Sequence, residues 1–212
     1  MKDAVTVEEV RAALARVGED AAANAETLRE LDAATGDGDL GVTMTVGWGA
    51  VREALPGLGQ GDIGTLLAQA GMTFNRAAAS TFGVLLATAL MRAGRELKGL
   101  TEARLPDVIR AAEGAFAGIK ERGKADVGDK TMLDALDPAI AALKDAEAQG
   151  RSLREALDAA AEAAMRGAEA TVGKMPKFGR ASWLGPRAAE VQDPGATAVA
   201  LMLRSLAEAL RS

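Results

Sequence analysis

The sequence predicts an all-α protein, and three observations carry that expectation. Apolar residues make up 49% of the 212-residue chain, yet aromatics supply only 3% and there is no tyrosine. The core must therefore be built from Ala, Leu, Val and Met, and such sequence without long β-branched runs favours helix. Apolar residues also recur at helical spacing in segment after segment, with N-cap signals and glycine breaks between them. The length fits a single domain, residues 1–212, with one sizeable core.

The first helix starts at the capping box Thr6-Val7-Glu8-Glu9 and runs to about Ala34, with a break expected at Gly18. A Gly-rich acidic turn follows, and a second helix is expected from about Val42 to Leu55. After the loop Pro56–Gly61, Asp62 is the N-cap of a helix with Ile63, Leu66, Leu67 and Ala70 on one face. Asn75–Thr81 reads either as a turn or as a helical passage into Phe82–Lys98. Leu105, Val108, Ile109, Ala112, Phe116 and Ile119 form the next stripe, ended by Arg122-Gly123. Gly123–Lys130 is a polar loop, and Met132, Leu136, Ile140 and Leu143 follow as a stripe stopped by Gln149-Gly150. A second capping box, Ser152–Glu155, opens a helix to about Val172. Residues 173–194 lack periodicity, and Asp193-Pro194 starts a last helix lined by Val199, Leu203, Leu206 and Leu210. This gives about eight helices and no convincing strand; short linkers make sequential antiparallel neighbours the expectation.

The chain contains neither cysteine nor histidine. Disulfides, thiolate zinc sites, Cys or His nucleophiles, Ser-His-Asp triads and a histidine general base are thereby excluded. The longest apolar stretch, Phe82–Met91, is too short to span a bilayer. No signal peptide is expected from the opening Met1-Lys2-Asp3. The expectation is a cytoplasmic protein without a membrane partner. A net charge of −5 argues against nucleic acid as the main partner.

The chemistry concentrates in Asp32-Ala33-Ala34-Thr35-Gly36-Asp37-Gly38-Asp39-Leu40-Gly41, where three carboxylates lie among three glycines and no basic residue. Such anions repel unless a cation shares the space, and a hard divalent ion takes oxygen ligands. Asp32 falls near a helix C-terminus, an unfavourable end for an anion that a bound cation would relieve. An EF-hand fails, because counting from Asp37 puts Trp48 at position 12, where a bidentate Glu is needed. The other reading is a solvated Asp-Gly turn. Mg²⁺ is commonly shared between carboxylates and phosphates. Leu40, Gly41, Val42 and Thr43 open the next helix, whose free N–H groups suit phosphate oxygens. The Thr43 hydroxyl either adds a contact or bonds locally.

Lys174, Lys177, Arg180 and Arg187 fall in the long connection, with no acidic residue until Glu190. That reversal of charge suits a lid over a phosphorylated ligand, or else a solvated loop. Trp183 either covers an adenine or anchors the loop. The loop Gly123–Met132 is not a Walker A sequence, and no Rossmann fingerprint is present.

Together these residues resemble the L subunit of dihydroxyacetone kinase. The matching segments are Leu31-Asp32 with Gly36–Gly41; Asp62-Ile63-Gly64; Gly71-Met72-Thr73; Arg122-Gly123-Lys124 with Gly128–Met132; Gly179–Gly185; and Gln192–Thr197. They cover nearly the whole chain in shared order and spacing. The resemblance implies a barrel of eight antiparallel helices with nucleotide, ADP or ATP, at one end. It implies that Asp32, Asp37 and Asp39 hold two Mg²⁺ ions. It implies that Leu40–Thr43 meet the phosphates, and that Gly123, Met132, Arg180 and Asp193-Pro194-Gly195 line the nucleotide site. The substrate would sit on a separate K-type subunit, and in some members a phosphotransferase-system protein recharges ADP.

Two features depart from the family. Leu40 stands where histidine is usual, and a Gly-Gly-Ala-Ser-Gly turn is replaced by the shorter Phe74–Thr81 interval. Ala79 and Ser80 are its nearest counterparts. The resulting expectation is phosphoryl transfer through Mg-nucleotide to a small hydroxy-ketone on the partner, with Arg180 nearest the transferring group. The alternatives are a non-catalytic nucleotide-binding adaptor and a purely structural helical domain.

Overall fold

The computed structural model describes residues 4–211; Met1-Lys2-Asp3, on which the signal-peptide expectation rests, lie outside them. Ten α-helices are present among the described residues: α1 Val7–Ala23, α2 Ala25–Thr35, α3 Leu40–Ala54, α4 Ile63–Ala77, α5 Thr81–Glu96, α6 Leu105–Gly123, α7 Leu133–Ala148, α8 Leu153–Glu169, α9 Pro186–Ala189 and α10 Pro194–Ala209. Short 3-10 turns cover Leu55–Gly57 and Arg180–Trp183. No helix among them is long and apolar enough to cross a membrane.

The all-α expectation holds, with local differences that have physical causes. The first helix breaks at Asn24, not at Gly18. The Asn24 side-chain amide donates to the Asp20 carbonyl at 2.7 Å, taking an acceptor at the end of α1. Gly18 stays helical and buried; a Cβ there would lie 3.3 Å from the Trp48 carbonyl oxygen, so its role is close packing against α3. Helix α3 begins at Leu40, two residues before the expected start, because the Thr43 N–H closes on the Asp39 carbonyl at 2.9 Å. Helix α4 continues to Ala77, and Ser80 caps α5 by accepting from the Gly83 N–H at 3.0 Å. Helix α8 stops at Glu169. Two three-residue strands, β1 Ala4–Thr6 and β2 Glu102–Arg104, pair antiparallel with Val5 opposite Ala103.

The helices close into a ring. Helices α1, α3, α4, α5, α6, α7, α8 and α10 each pack against the next, and α10 packs back on α1. The eight-helix barrel implied by the resemblance is therefore the architecture. Helix α2 stands outside the ring against α3 and α10. Trp48 and Phe74 meet edge to face inside it, with ring centroids 5.7 Å apart. Small residues let neighbours approach: a Cβ on Gly94 would lie 2.4 Å from the Gly64 carbonyl oxygen, across the α4–α5 contact. The interior retains a cavity of about 250 Å³ walled by apolar side chains, among them Leu14, Trp48, Leu86, Leu136 and Val199.

Up-and-down closure sorts the connections by end. The pairing of β1 with β2, the Ile63 N–H to Leu100 carbonyl bond and the Val7 N–H to Thr101 carbonyl bond gather the α1 start and the α3–α4 and α5–α6 connections at one end. Alternation then puts the α2–α3, α4–α5, α6–α7 and α8–α10 connections at the other. These four connections carry the sequence-predicted site residues.

Candidate metal and nucleotide site

The acidic turn forms as its glycines require. Gly38 has a φ of 74°, a left-handed conformation that suits glycine. The turn leaves carboxylate oxygens of Asp32, Asp37 and Asp39 within 4.8 Å of one another, Asp32 partly buried and the other two exposed. Asp32 also accepts the Leu40 N–H at 3.0 Å, which fixes the start of α3 against the end of α2. Hard oxygen donors at this separation suit Mg²⁺ and leave its other positions for water or phosphate. The Arg180 guanidinium pairs with Asp37 and supplies the positive charge that the cluster calls for.

The Leu40–Thr43 expectation divides. The Leu40 side chain is buried in the barrel core, and its N–H is held by Asp32. The Thr43 N–H is bonded to Asp39. Gly41 and Val42 make no N–H hydrogen bond among the described residues, and so they are the groups that α3 offers to an anion. Val42 is 61% exposed. Gly41 is there for closeness, since a Cβ would lie 2.1 Å from the Ala25 carbonyl oxygen.

Ala79 and Ser80 sit in the α4–α5 connection, with the Ser80 hydroxyl committed to capping α5. Gly123 ends α6 facing Leu85 of α5. Met132 precedes α7 and lies beside Gly195, where a Cβ would be 3.4 Å from the Met132 Cγ. Asp193 caps α10, accepting the Ala196 N–H at 2.7 Å, and Pro194 is the first residue of that helix. Part of Asp193 reaches solvent, but its carboxyl is enclosed; burial pushes it up to about 7, and Asp134 adds to the rise.

The basic segment is not a row of free cations. Lys177 pairs with Asp129 at 2.5 Å and Lys174 with Asp134 at 2.7 Å. Of the four cations read as a lid over phosphate, Arg180 alone forms an ion pair with the acidic turn. Asp134 is buried and also accepts the N–H groups of Gly128 and Thr131. The direct hydrogen bond and charge of Lys177 hold the Asp129 carboxyl below the usual range. Trp183 is 83% exposed, so in this conformation it anchors nothing. Sequence reasoning gave no role to Asp129 and Asp134, the partners of Lys177 and Lys174, to Lys130, whose Nζ donates to carbonyls of the later loop, or to Thr171, whose hydroxyl accepts the Asp193 N–H at 2.8 Å. The signal available was the charge in Gly123–Lys130, where Asp129 pairs with Lys177 of the later loop; Asp134, the partner of Lys174, lies beyond that stretch.

A family described as the DAK2 domain matches residues 34–208. The chain belongs to the DAK2 domain family. This DAK2 domain is 35% identical to the ADP-binding subunit DhaL of the PEP-dependent dihydroxyacetone kinase of Escherichia coli K12, over 93% of this chain and 94% of that one. It is 34% identical to human triokinase/FMN cyclase over 88% of its own length but 32% of the relative's. Among solved structures it resembles the dihydroxyacetone kinase of C. freundii in complex with AMP-PNP and Mg²⁺, with a TM-score of 0.72 and 31% identity. That match covers 94% of this chain and 33% of the other. The L-subunit resemblance read from the motifs is thus met by relatives matching nearly end to end.

Proposed function

We propose that the chain is the nucleotide-binding subunit of a dihydroxyacetone-kinase-type phosphotransferase. The observation that carries this reading is the meeting of the Asp32, Asp37 and Asp39 carboxylates with the α3 N-terminus and Arg180. An ADP-binding relative and a Mg²⁺–AMP-PNP complex of a similar chain support it. Asp32, Asp37 and Asp39 would hold Mg²⁺, with enough oxygens to share between two ions. Bound there, the metal would neutralise phosphate charge. Gly41 and Val42 would donate to phosphate oxygens, while Gly123, Met132 and Asp193–Gly195 border the nucleotide. Arg180 would leave Asp37 for the transferring phosphoryl group.

The acceptor hydroxyl belongs to dihydroxyacetone or a similar hydroxy-ketone on a K-type partner subunit. Its oxygen would form the new P–O bond as the bond to ADP breaks, its proton passing to a base on the partner; on this chain the absence of histidine excludes only an imidazole base. The near full-length relatives are named PEP-dependent, which favours retained ADP recharged by a phosphotransferase-system protein in the cytoplasm. A non-catalytic adaptor is the second reading, favoured by the buried Leu40 side chain and the committed Ser80 hydroxyl. Phosphoryl transfer to dihydroxyacetone, assayed with a K-type subunit and a Mg-nucleotide or recharging donor, tests the proposal. Turnover that requires this chain is the expected result; Mg-ADP binding without turnover would favour the adaptor.

A further inference from the structure

Lys130 combines features that stability alone does not favour. It is 3% exposed, and its backbone has a φ of 62°, uncommon for a residue with a side chain. It forms no ion pair among the described residues, although Asp193 and Asp134 attract it and Lys174 repels it. A buried ammonium and a left-handed backbone each cost free energy, and such costs cluster where geometry matters. The Lys130 Nζ donates to the carbonyls of Ala188 at 2.8 Å, Ala189 at 3.1 Å and Val191 at 2.6 Å. Its three N–H bonds are all used.

Those carbonyls lie at the end of the basic segment. Ala188 and Ala189 close α9, where helix carbonyls lack internal partners and a cation is favoured. A four-residue helix does not hold itself together. Helix α9 follows the Arg180–Trp183 turn by two residues. The Gly173 N–H bonds the Ala189 carbonyl at 2.8 Å, so the ends of the segment meet where Lys130 binds.

We propose that Lys130 is the positioning residue of the lid, holding the Ala188, Ala189 and Val191 carbonyls so that Arg180 reaches the metal turn. The consequence for transfer rests on the nucleotide-site reading above; the tether itself does not.

The test compares full-length Lys130→Met and Lys130→Gly with the parent chain. Glycine adopts positive φ without strain, so Lys130→Gly removes the ammonium and relieves the backbone. Without ligand, amide hydrogen exchange across residues 177–191 should quicken in both variants while that of the ring helices stays constant. Trypsin should cut after Lys177 and Arg180 about tenfold faster. With the K-type partner, transfer should slow about tenfold or more while Mg-ADP affinity stays within about threefold. Unchanged exchange and cleavage would overturn the tether. A loosened lid with unchanged transfer would overturn the positioning role, as would equal losses of affinity and rate. Failure of the parent itself to bind Mg-ADP would instead defeat the nucleotide-site reading, leaving the ligand-free comparison to decide the tether.

Discussion

Asp37 faces two neighbouring carboxylates on one side and the Arg180 guanidinium on the other. Under the proposed function Mg²⁺ and Arg180 would compete for it, and phosphate would draw Arg180 away. Arg180→Ala should slow transfer by about 100-fold or more, as expected for a group acting on transition-state charge, and leave ADP affinity within about tenfold; single-turnover rates beside calorimetric affinities separate the two. At Gly41, a methyl group would collide with the Ala25 carbonyl. Gly41→Ala should cost about 1–3 kcal/mol in denaturant unfolding and weaken Mg-ADP binding. Asp193 gives a pH effect. Its folded pKa is raised to about 7, so the folded state holds a proton that the unfolded chain has released above the usual carboxylate range. Stability from this group is present at low pH and is lost as pH rises toward and through about 7. Asn can still accept the Ala196 N–H, so without nucleotide the melting temperature of Asp193→Asn should rise relative to the parent as pH increases from roughly 4 to 7, and the difference should level off above that. The aspartates were legible because their chemistry lies in local spacing. The roles of Lys174 and Lys177 were not, because charge shows a sign and not a partner, and Asp134 lies 40 residues before Lys174.

Helix boundaries follow local chemistry where a side chain does the stopping. The Thr6 and Ser152 capping boxes, the Asp62 cap and the Asp193-Pro194 start were readable because each bond is made within three residues. The break at Asn24 was less so, since Gly18 is the stronger breaker by propensity and is kept in helix by its contact with α3. The strands β1 and β2 are too short to show periodicity and are paired across almost 100 positions of sequence. Between α4 and α5, Gly64 and Gly94 face each other with no room for Cβ. Gly94→Ala should separate these helices and cost about 1–3 kcal/mol despite the better helix propensity of alanine; equilibrium denaturation of the variant checks this.

Closure of the ring is a property of the whole molecule. Periodicity shows which face of each helix is apolar, but not that α10 returns to α1; that expectation came from the family resemblance. Closure brings four connections, far apart in sequence, to one end, and so assembles the acidic turn, the α3 N-terminus and the basic segment. The central claim is that this end binds nucleotide through magnesium held by Asp32, Asp37 and Asp39. Calorimetric titration of the parent chain and Asp37→Asn with ADP, each with and without Mg²⁺, tests it most directly. Binding by the parent only when Mg²⁺ is present, and none by Asp37→Asn, is the predicted result; ADP binding that is independent of Mg²⁺, or that survives in Asp37→Asn, would contradict it.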